Sequence, residues 1–194
     1  VDFDFTQSRL RLWPPGGADK TGLVAIPAAV LNESGLLGIR VISASRQQPT
    51  TGQPVLGIID CGASFTTVNS AAAKLLGLVV PRGGESSPVV TGIGIDGRPM
   101  RMPTAPVQLT FTGDATRVGS GGELRFAPPP SSWKPWDPVL VGIGDLPVFS
   151  DLLGDGKTPF EGPAVLIGLD VLSQRRVILE TGKGKARRLF VAPE

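Results

Sequence analysis

Short apolar runs separated by turn-forming residues dominate the chain. Each run is aliphatic and is bounded by glycine, proline or polar residues, a pattern that predicts β-strands. The runs cover residues 23–26, 36–42, 55–59, 106–112, 139–143, 165–169, 177–180 and 188–191. The 26 glycines and 19 prolines also favour many short strands and turns over long helices. We therefore predict a mostly β fold, in which residues 36–42 pair with the strand at 55–59 and residues 1–13 form one further strand.

Two short helices are predicted between the strands. Ser70 is placed as the N-cap of the first helix, over residues 71–76, and Gly77 as the left-handed residue that ends it. Asp170 is placed as the cap of the second helix, which ends before Arg176.

One carboxylate follows directly on an apolar strand. The strand at residues 55–59 is followed by Asp60, Cys61, Gly62, Ala63 and Ser64. A carboxylate in that place is costly to remove from water, so hydrogen bonds or a second group sharing its charge must hold it. Gly62 lets backbone amides approach the carboxylate. On these residues alone, a structural Asp-x-Gly turn and a functional acid explain the pattern equally well.

A glycine-rich segment at residues 92–97 matches the spacing of a dinucleotide-binding loop. Two prolines follow where the helix of such a loop would run, so we reject that interpretation. A β-hairpin fits better, with its turn at Asp96-Gly97 or at Ile93-Gly94. An ordinary surface hairpin is the alternative, but its tip would expose two isoleucines to water, which is unfavourable. We therefore expect a ligand to bind beneath the hairpin.

Composition and charge exclude several classes of function. Nineteen basic and 17 acidic residues give a net charge of +2, too small an excess to indicate nucleic acid without a clustered patch. The basic residues at 183–188 are explained by a solvated hairpin turn. With no histidine and one cysteine, a zinc site is disfavoured and histidine-dependent serine or cysteine catalysis is excluded. Carboxylates remain for acid–base chemistry, and no metal or cofactor is expected.

Several motifs together resemble the retropepsin-like aspartic proteases, the retroviral-type, single-domain family. The family carries Asp-Thr/Ser-Gly-Ala where this chain has residues 60–63. The glycine-rich hairpin follows, and then a hydrophobic-hydrophobic-Gly motif that residues 165–168 resemble. These landmarks span about two thirds of the chain in the family's order, which is more specific than any one of them. The departure is Cys61, where the family has a hydroxyl.

The resemblance implies the retropepsin-like acid protease fold. That fold is a closed, barrel-like single lobe with a flap hairpin and one or two short helices. One domain would span residues 1–194, with a long Gly/Pro-rich insertion at about 113–162. Within the insertion we expect the tryptophans to pack back onto the body and residues 145–153 to form a short helical turn.

The resemblance also implies an aspartic endopeptidase. Its chemistry needs two carboxylates that share a proton, one acting as base toward water and the other as acid toward the scissile carbonyl. Asp170 matches a helix start and residues 180–182 lead into a polar turn, so neither is taken as the second acid. The second acid would be Asp60 of another copy in a homodimer. Residues 1–13 and 188–192 are candidates for the intersubunit sheet.

A polypeptide is the substrate that the resemblance implies, held in extended form beneath the flap. The flap and pocket residues would be Thr91, Gly92, Ile93, Gly94, Ile95 and Ile167. Because a thiol is a weaker hydrogen-bonding group than a hydroxyl, we expect Cys61 to give a looser dimer or a slower enzyme. Two Cys61 side chains near the dimer axis would also allow redox control.

A catalytically weak or inactive domain of the same fold, used for dimerisation or peptide binding, is the alternative function. No apolar run approaches the ~18 to 20 residues that a bilayer span needs, so no membrane partner is expected. The chain lacks a secretion signal, and its start at Val1 is compatible with the removal of an upstream segment. The resemblance is compatible with an organelle such as the chloroplast or with a bacterial cell.

Overall fold

Strands form most of the regular structure. The computed structural model describes residues 1–31, 34–44, 53–79, 88–94, 97–118, 123–180 and 188–194. The strands are β1 (Asp2–Asp4), β2 (Arg9–Arg11), β3 (Val24–Val30), β4 (Leu37–Ser43), β5 (Val55–Ile59), β6 (Thr67–Val68), β7 (Val89–Ile93), β8 (Pro99–Val107), β9 (Leu109–Phe111), β10 (Ala115–Val118), β11 (Glu123–Phe126), β12 (Val139–Ile143), β13 (Ala164–Ile167), β14 (Val177–Leu179) and β15 (Arg188–Val191). The helices are α1 (Ser70–Leu76), α2 (Pro147–Leu153) and α3 (Leu169–Leu172). The predicted mostly β fold is confirmed, and the described residues form three short α-helices where the resemblance implied one or two.

Most of these strands belong to one sheet that stays open. Its order is β2-β1-β14-β15-β3-β4-β5-β13-β6-β12-β8-β7, with β9 beside β4, while β10 and β11 form a separate hairpin. Among the described residues no pairing joins β2 to β7, so the closed barrel that the resemblance implies is absent from that part of the chain. The sheet also branches at β4, which pairs with β3 through residues 37–39 and with β9 through residues 41–43.

The strand that precedes Asp60 lies inside the sheet. On one side β5 pairs antiparallel with β4, as predicted, and on the other it pairs in parallel with β13, where Ile59 lies opposite Ile167. In turn, β13 pairs antiparallel with β6. Every residue of β13 is buried, and β5 is buried except for one half-buried position, because both strands have neighbours on each side. Asp60 therefore leaves the sheet from an interior strand.

Two tryptophans anchor the insertion to the core. Trp133 packs edge-on against Phe111 and against Trp136, with ring centroids 4.9 Å apart in each pair. Both tryptophans belong to the main buried cluster, and Trp136 is only 1% exposed. Edge-to-face pairs of this kind add to the free energy gained by burying the rings. The expectation that these tryptophans pack back onto the body is confirmed.

The amino-terminal segment forms a hairpin instead of the single strand that we predicted. Between β1 and β2 the chain makes a 3₁₀ turn over Phe5–Gln7 and then takes a left-handed conformation at Ser8, with φ of 50°. The polar break in the sequence is therefore a reversal of direction. In addition, β1 lies between β2 and β14, and β15 lies between β14 and β3. Strand β15 has neighbours of its own chain along both edges, so residues 188–192 are not open to an intersubunit sheet.

The helices begin close to the predicted positions. Asn69, and not Ser70, caps α1, because the Asn69 side chain accepts a hydrogen bond from the Ala72 N–H. Gly77 ends the helix in the left-handed conformation, as predicted. The predicted turn at 145–153 is α2, with Pro147 at its start. Among the described residues, no helix is long and apolar enough to cross a membrane.

Candidate active site

Asp60 stands at the start of a tight turn that is held by its own hydrogen bonds. We call residues 60–66 the Asp60 loop. The carboxylate is half-buried, and its Oδ1 accepts a hydrogen bond of 2.8 Å from the Gly62 N–H. The Ala63 N–H donates to the Asp60 carbonyl oxygen at 3.3 Å. The predicted approach of a backbone amide to the carboxylate is confirmed, and the carboxylate is partly open to water.

The last residue of β13 and the three residues after it hold the Asp60 loop in place. We call residues 167–170 the supporting segment. The Asp60 N–H donates to the Ile167 carbonyl oxygen at 3.1 Å, and the Leu169 N–H donates to the Ala63 carbonyl oxygen at 2.8 Å. Between them lies Gly168, where a Cβ atom would come within 2.6 Å of the backbone of Phe65. A glycine is needed there because two backbones touch. The hydrophobic-hydrophobic-Gly motif at residues 165–168 therefore holds the Asp60 loop through contacts between the two backbones.

Asp170 binds the far end of the loop. Its two carboxylate oxygens accept hydrogen bonds from the Thr66 N–H at 2.9 Å and from the Thr66 Oγ1 at 2.7 Å. The residue before α3 is Gly168, so our prediction of Asp170 as the cap of that helix is wrong. The Asp170 carboxylate binds Thr66 instead, which is 104 positions away in sequence. A local sequence pattern does not reveal a partner at that distance. Asp170, which we did not take as a second catalytic acid, uses both of its oxygens to bind Thr66.

The predicted hairpin forms from β7 and β8 and touches the Asp60 loop. Its turn is closed by the Gly94 N–H, which donates to the Arg98 carbonyl oxygen, and by Gly97, which has a φ of 76°. At Gly92 a Cβ atom would lie 2.9 Å from the ring of Phe65, so the hairpin backbone rests against that ring. Asp96 lies outside the described residues. The hairpin is thus confirmed, and it lies next to the loop that bears the acid.

The side chains of the hairpin alternate between two faces. Val90 faces Gly142 of β12, on the same face as the Gly92 contact with Phe65. Thr91 and Ile93 therefore point to the opposite face, and Ile93 is 77% exposed. Neither side chain is on the face that meets Phe65, whereas the backbone of Gly92 is in contact with the Phe65 ring. Ile95 lies outside the described residues.

The remaining predicted site residues lie in different surroundings. Ile167 is completely buried, with its Cδ1 2.7 Å from where a Cβ of Gly57 would lie, so its side chain is core and cannot line a pocket. Ser64 is exposed and Ala63 is half-buried. Cys61 is half-buried, and its side chain packs against the main core. Burial, and next the negative charge of Asp60, raise the pKa of the Cys61 thiol above its ordinary value.

Sequence reasoning missed two residues of the site, Phe65 and Thr66. Phe65 links the loop to the hairpin, and Thr66 links it to Asp170. The signal available in the sequence was an aromatic residue and a hydroxyl residue directly after an Asp-x-Gly turn, which is not specific. Their importance depends on partners that the fold brings from elsewhere in the chain.

The fold and the site define a mostly β protein that presents one carboxylate on a braced turn beside a glycine-rich hairpin. Within the described residues, no group of three or more carboxylate or cysteine side chains is placed to hold a metal ion. One carboxylate that is partly open to water can act as a base or as an acid, but it cannot do both in the same step. The described part of the site therefore offers one carboxylate for acid–base chemistry.

The comparisons with known proteins give one structural likeness to report. No family model matches the sequence, and no curated protein matches it. Among solved structures, the chain is similar to a retropepsin-like aspartic protease from Rickettsia conorii, with 15% sequence identity and a TM-score of 0.35. The alignment covers 94% of this chain and 96% of that chain.

Proposed function

We propose that this chain is one half of a retropepsin-like aspartic endopeptidase. Two copies form a homodimer, and Asp60 of each copy supplies one carboxylate of the catalytic pair. One carboxylate, as the base, activates a water molecule, and the other, protonated, donates its proton to the scissile carbonyl oxygen. Because two such close acids cannot both ionise, the pair titrates as a unit. The reaction needs no cofactor.

The braced geometry of Asp60 is the observation that carries the proposal. The carboxylate leaves an interior strand, accepts the Gly62 N–H and stands on a loop whose backbone is in contact with Gly168. A turn that served only to reverse the chain would not need this support from a second segment. Acid–base catalysis does need it, because small displacements of a reacting group are costly in rate.

A second copy is needed because the carboxylate of Asp170 already binds another group of its own chain. Asp170 is in the supporting segment, but both of its oxygens are occupied by Thr66. Within the part of the chain that the structure describes, no hydrogen bond joins the Asp60 carboxylate to another carboxylate. A symmetric partner is the simplest source of the missing acid, because a two-fold axis places the same residue on both sides.

The hairpin formed by β7 and β8 is proposed as the flap over the substrate. Its edge strand, β7, has backbone groups that can pair with an extended peptide. The contact between Gly92 and Phe65 brings that backbone to the loop that carries the acid. Phe65 offers an apolar surface, which favours apolar substrate side chains there.

The test combines a peptide library with the solution mass of the protein. The wild-type protein is expected to cleave peptides at acidic to neutral pH as a dimer. Asp60→Asn is expected to lower kcat/KM by ~10⁴-fold or more while the solution mass stays that of the dimer, because the amide cannot exchange the proton. Glu161→Gln, an exposed carboxylate outside the loop, is the matched control and is expected to keep full activity. Cleavage that survives in Asp60→Asn would refute the assignment.

A catalytically weak or inactive peptide-binding dimer is the second candidate, and Cys61 is the observation that favours it. The thiol packs against the core of its own chain, and it is a weaker hydrogen-bonding group than the hydroxyl that the retropepsin-like family carries at this position. Binding of a pepstatin-type inhibitor without any cleavage of the library would support this candidate. Binding together with cleavage would support the enzyme.

A further inference from the structure

We propose that Asp170 is a positioning residue that fixes the far end of the Asp60 loop in the geometry that catalysis needs. This inference rests on the proposed function, because it assigns a task within the same site. Asp170 touches no reacting atom in the proposed mechanism. It acts through Thr66, and its effect is on where the loop holds the carboxylate of Asp60.

Both hydrogen-bond donors of Thr66 are paired with Asp170, and water does not reach Thr66. Thr66 is completely buried, and both its N–H and its Oγ1 donate to the carboxylate of Asp170. The same Oγ1 accepts the Gly168 N–H at 3.1 Å, and Asp170 Oδ1 also accepts the Val171 N–H at 2.9 Å. If the carboxylate is removed, the Thr66 donors are left buried without a partner, which is costly. The loop must then move to find one.

Three of the anchors between the loop and residues 167–170 differ in kind. A further backbone bond, from the Gly142 N–H of β12 to the Thr66 carbonyl oxygen at 3.0 Å, also holds the far end of the loop. The first of the three joins the Asp60 N–H to Ile167, and the second joins Leu169 to the Ala63 carbonyl oxygen. These two are backbone bonds, which substitution of a side chain does not remove. The third anchor, between Asp170 and Thr66, is made by side chains, and it lies next to the ring of Phe65 that the hairpin touches. The interaction of Asp170 with Thr66 therefore lies where the loop meets both the supporting segment and the hairpin.

A second carboxylate makes the same pair of bonds elsewhere and provides a matched control. Asp145 accepts the Ser70 N–H at 2.8 Å and the Ser70 Oγ at 2.7 Å. This pair is exposed and lies at the start of α1. Asp145→Ala removes the same two bonds as Asp170→Ala, but in a place where water can replace them.

The first experiment measures the kinetics of peptide cleavage. Asp170→Ala and Thr66→Val are expected to lower kcat by about 10- to 100-fold and to change KM by less than ~3-fold, since a misplaced acid reacts poorly while substrate contacts remain. Thr66→Ser, which keeps the hydroxyl, is expected to retain most of the wild-type kcat. Asp145→Ala is expected to match wild type. Equal losses in Asp145→Ala and Asp170→Ala would overturn the proposal.

Asp170→Asn separates positioning from direct acid catalysis. Its amide can still accept one hydrogen bond from Thr66, so activity between those of wild type and Asp170→Ala is expected. If Asp170 transferred a proton in the reaction, Asp170→Asn would be as inactive as Asp60→Asn. That result would overturn the proposal.

The second experiment does not depend on activity. Hydrogen exchange of the backbone amides in the Asp60 loop is expected to be ~10-fold or more faster in Asp170→Ala and Thr66→Val. Exchange in β15, which pairs with β14 and β3 and makes no hydrogen bond to the loop within the described part of the chain, is expected to stay unchanged and is the reference for global unfolding. Unchanged exchange in the loop would overturn the positioning role. A wild-type protein that cleaves no peptide would refute the proposed function, while the exchange result would still decide whether Asp170 holds the loop.

Discussion

Gly168 is the residue at which the contact between two backbones can be tested directly. A Cβ atom there would lie 2.6 and 2.7 Å from the carbonyl carbon and oxygen of Phe65 and 2.9 Å from the Ala63 carbonyl oxygen. These are backbone atoms, so no side-chain rotation relieves the overlap. Gly168→Ala is expected to lower the free energy of unfolding by about 1–3 kcal/mol or more, measured by urea denaturation.

The control for this substitution is Gly144→Ala. A Cβ atom at Gly144 would meet only the flexible side chains of Met102 and Leu146, at 3.3 Å or more. Its cost is expected to stay below ~1 kcal/mol. Equal losses of stability in the two variants would contradict the view that the loop backbone presses against Gly168.

Cys61 offers a chemical probe of the charge on Asp60. Burial and the Asp60 carboxylate both disfavour the thiolate and raise the pKa of the thiol. Because the thiolate is the species that reacts, alkylation by iodoacetamide at mildly alkaline pH is expected to be slower than for a model thiol. Asp60→Asn removes one of the two causes, so alkylation is expected to become several-fold faster at the same pH. An unchanged rate would show that the carboxylate does not act on this thiol.

At the scale of elements, Asn69 joins α1 to the start of β13. Its side-chain oxygen accepts the Ala72 N–H at 2.9 Å and the Ala164 N–H at 3.1 Å, and its Nδ2 donates to the Gly162 carbonyl oxygen at 2.6 Å. The residue is 1% exposed. Asn69→Ala removes the cap and also leaves the buried Ala164 N–H and the half-buried Gly162 carbonyl oxygen without this partner. It is expected to lower the free energy of unfolding by about 2–4 kcal/mol.

Ser70→Ala is the neighbouring control for Asn69. The Ser70 hydroxyl bonds the exposed Asp145, so water can replace that partner. Its loss is expected to cost less than ~1 kcal/mol in the same denaturation experiment. If Ser70→Ala were the more damaging of the two, the role of Asn69 as cap and link would be wrong.

Elements defined by local pattern were predictable from the sequence. The pairing of β4 with β5, the hairpin of β7 and β8 and the end of α1 at Gly77 all follow from apolar runs and from glycine at turn positions. Features that depend on distant partners were not. The reversal at Ser8, the branching of the sheet at β4 and the binding of Thr66 by Asp170 all need residues that the fold brings together. The cap of α1 is Asn69 and not the predicted Ser70 for the same reason. Asn69 also binds Ala164 and Gly162, which are distant in sequence.

At the scale of the molecule, a buried carboxylate ties the amino terminus to the carboxyl-terminal third of the chain. Asp2 is completely buried and accepts hydrogen bonds from Arg176 Nε at 3.0 Å and Nη2 at 2.9 Å. Trp13 and Arg11 donate to the same carboxylate at 3.2 and 3.4 Å. The bonds from Arg176 are the largest cause that lowers the pKa of Asp2, and they outweigh burial, which opposes them.

This pKa predicts how stability depends on pH. The folded-state pKa of Asp2 lies below its ordinary value of 3.8, so the unfolded chain takes up a proton first as the pH falls. The contribution of Asp2 is therefore present above that ordinary value and is lost as the pH falls through the folded-state pKa. The free energy of unfolding of Asp2→Asn is expected to depend less steeply on pH in this acidic range. The exposed Asp114→Asn is the control and is expected to follow the wild-type slope.

Arg175 makes a second long-range connection. Its guanidinium donates to the carbonyl oxygens of Lys134 and Pro135 in the insertion and to that of Pro193 near the end of the chain. It also lies over the ring of Trp133, 4.5 Å from the centroid. The side chain is almost completely buried, and this burial lowers the pKa of the guanidinium. Arg175 thus holds the insertion and the last residues against the segment that follows α3.

The support of the Asp60 loop by residues 167–170 has a consequence for biosynthesis. Thr66 and Asp170 are 104 positions apart, and a ribosome makes the loop long before it makes the support. A nascent chain therefore carries its acid on an unbraced turn until the ribosome has also made residues 167–170. For the proposed peptidase, this order postpones the ability to cut until the residues that brace the loop have been synthesised and folded against it.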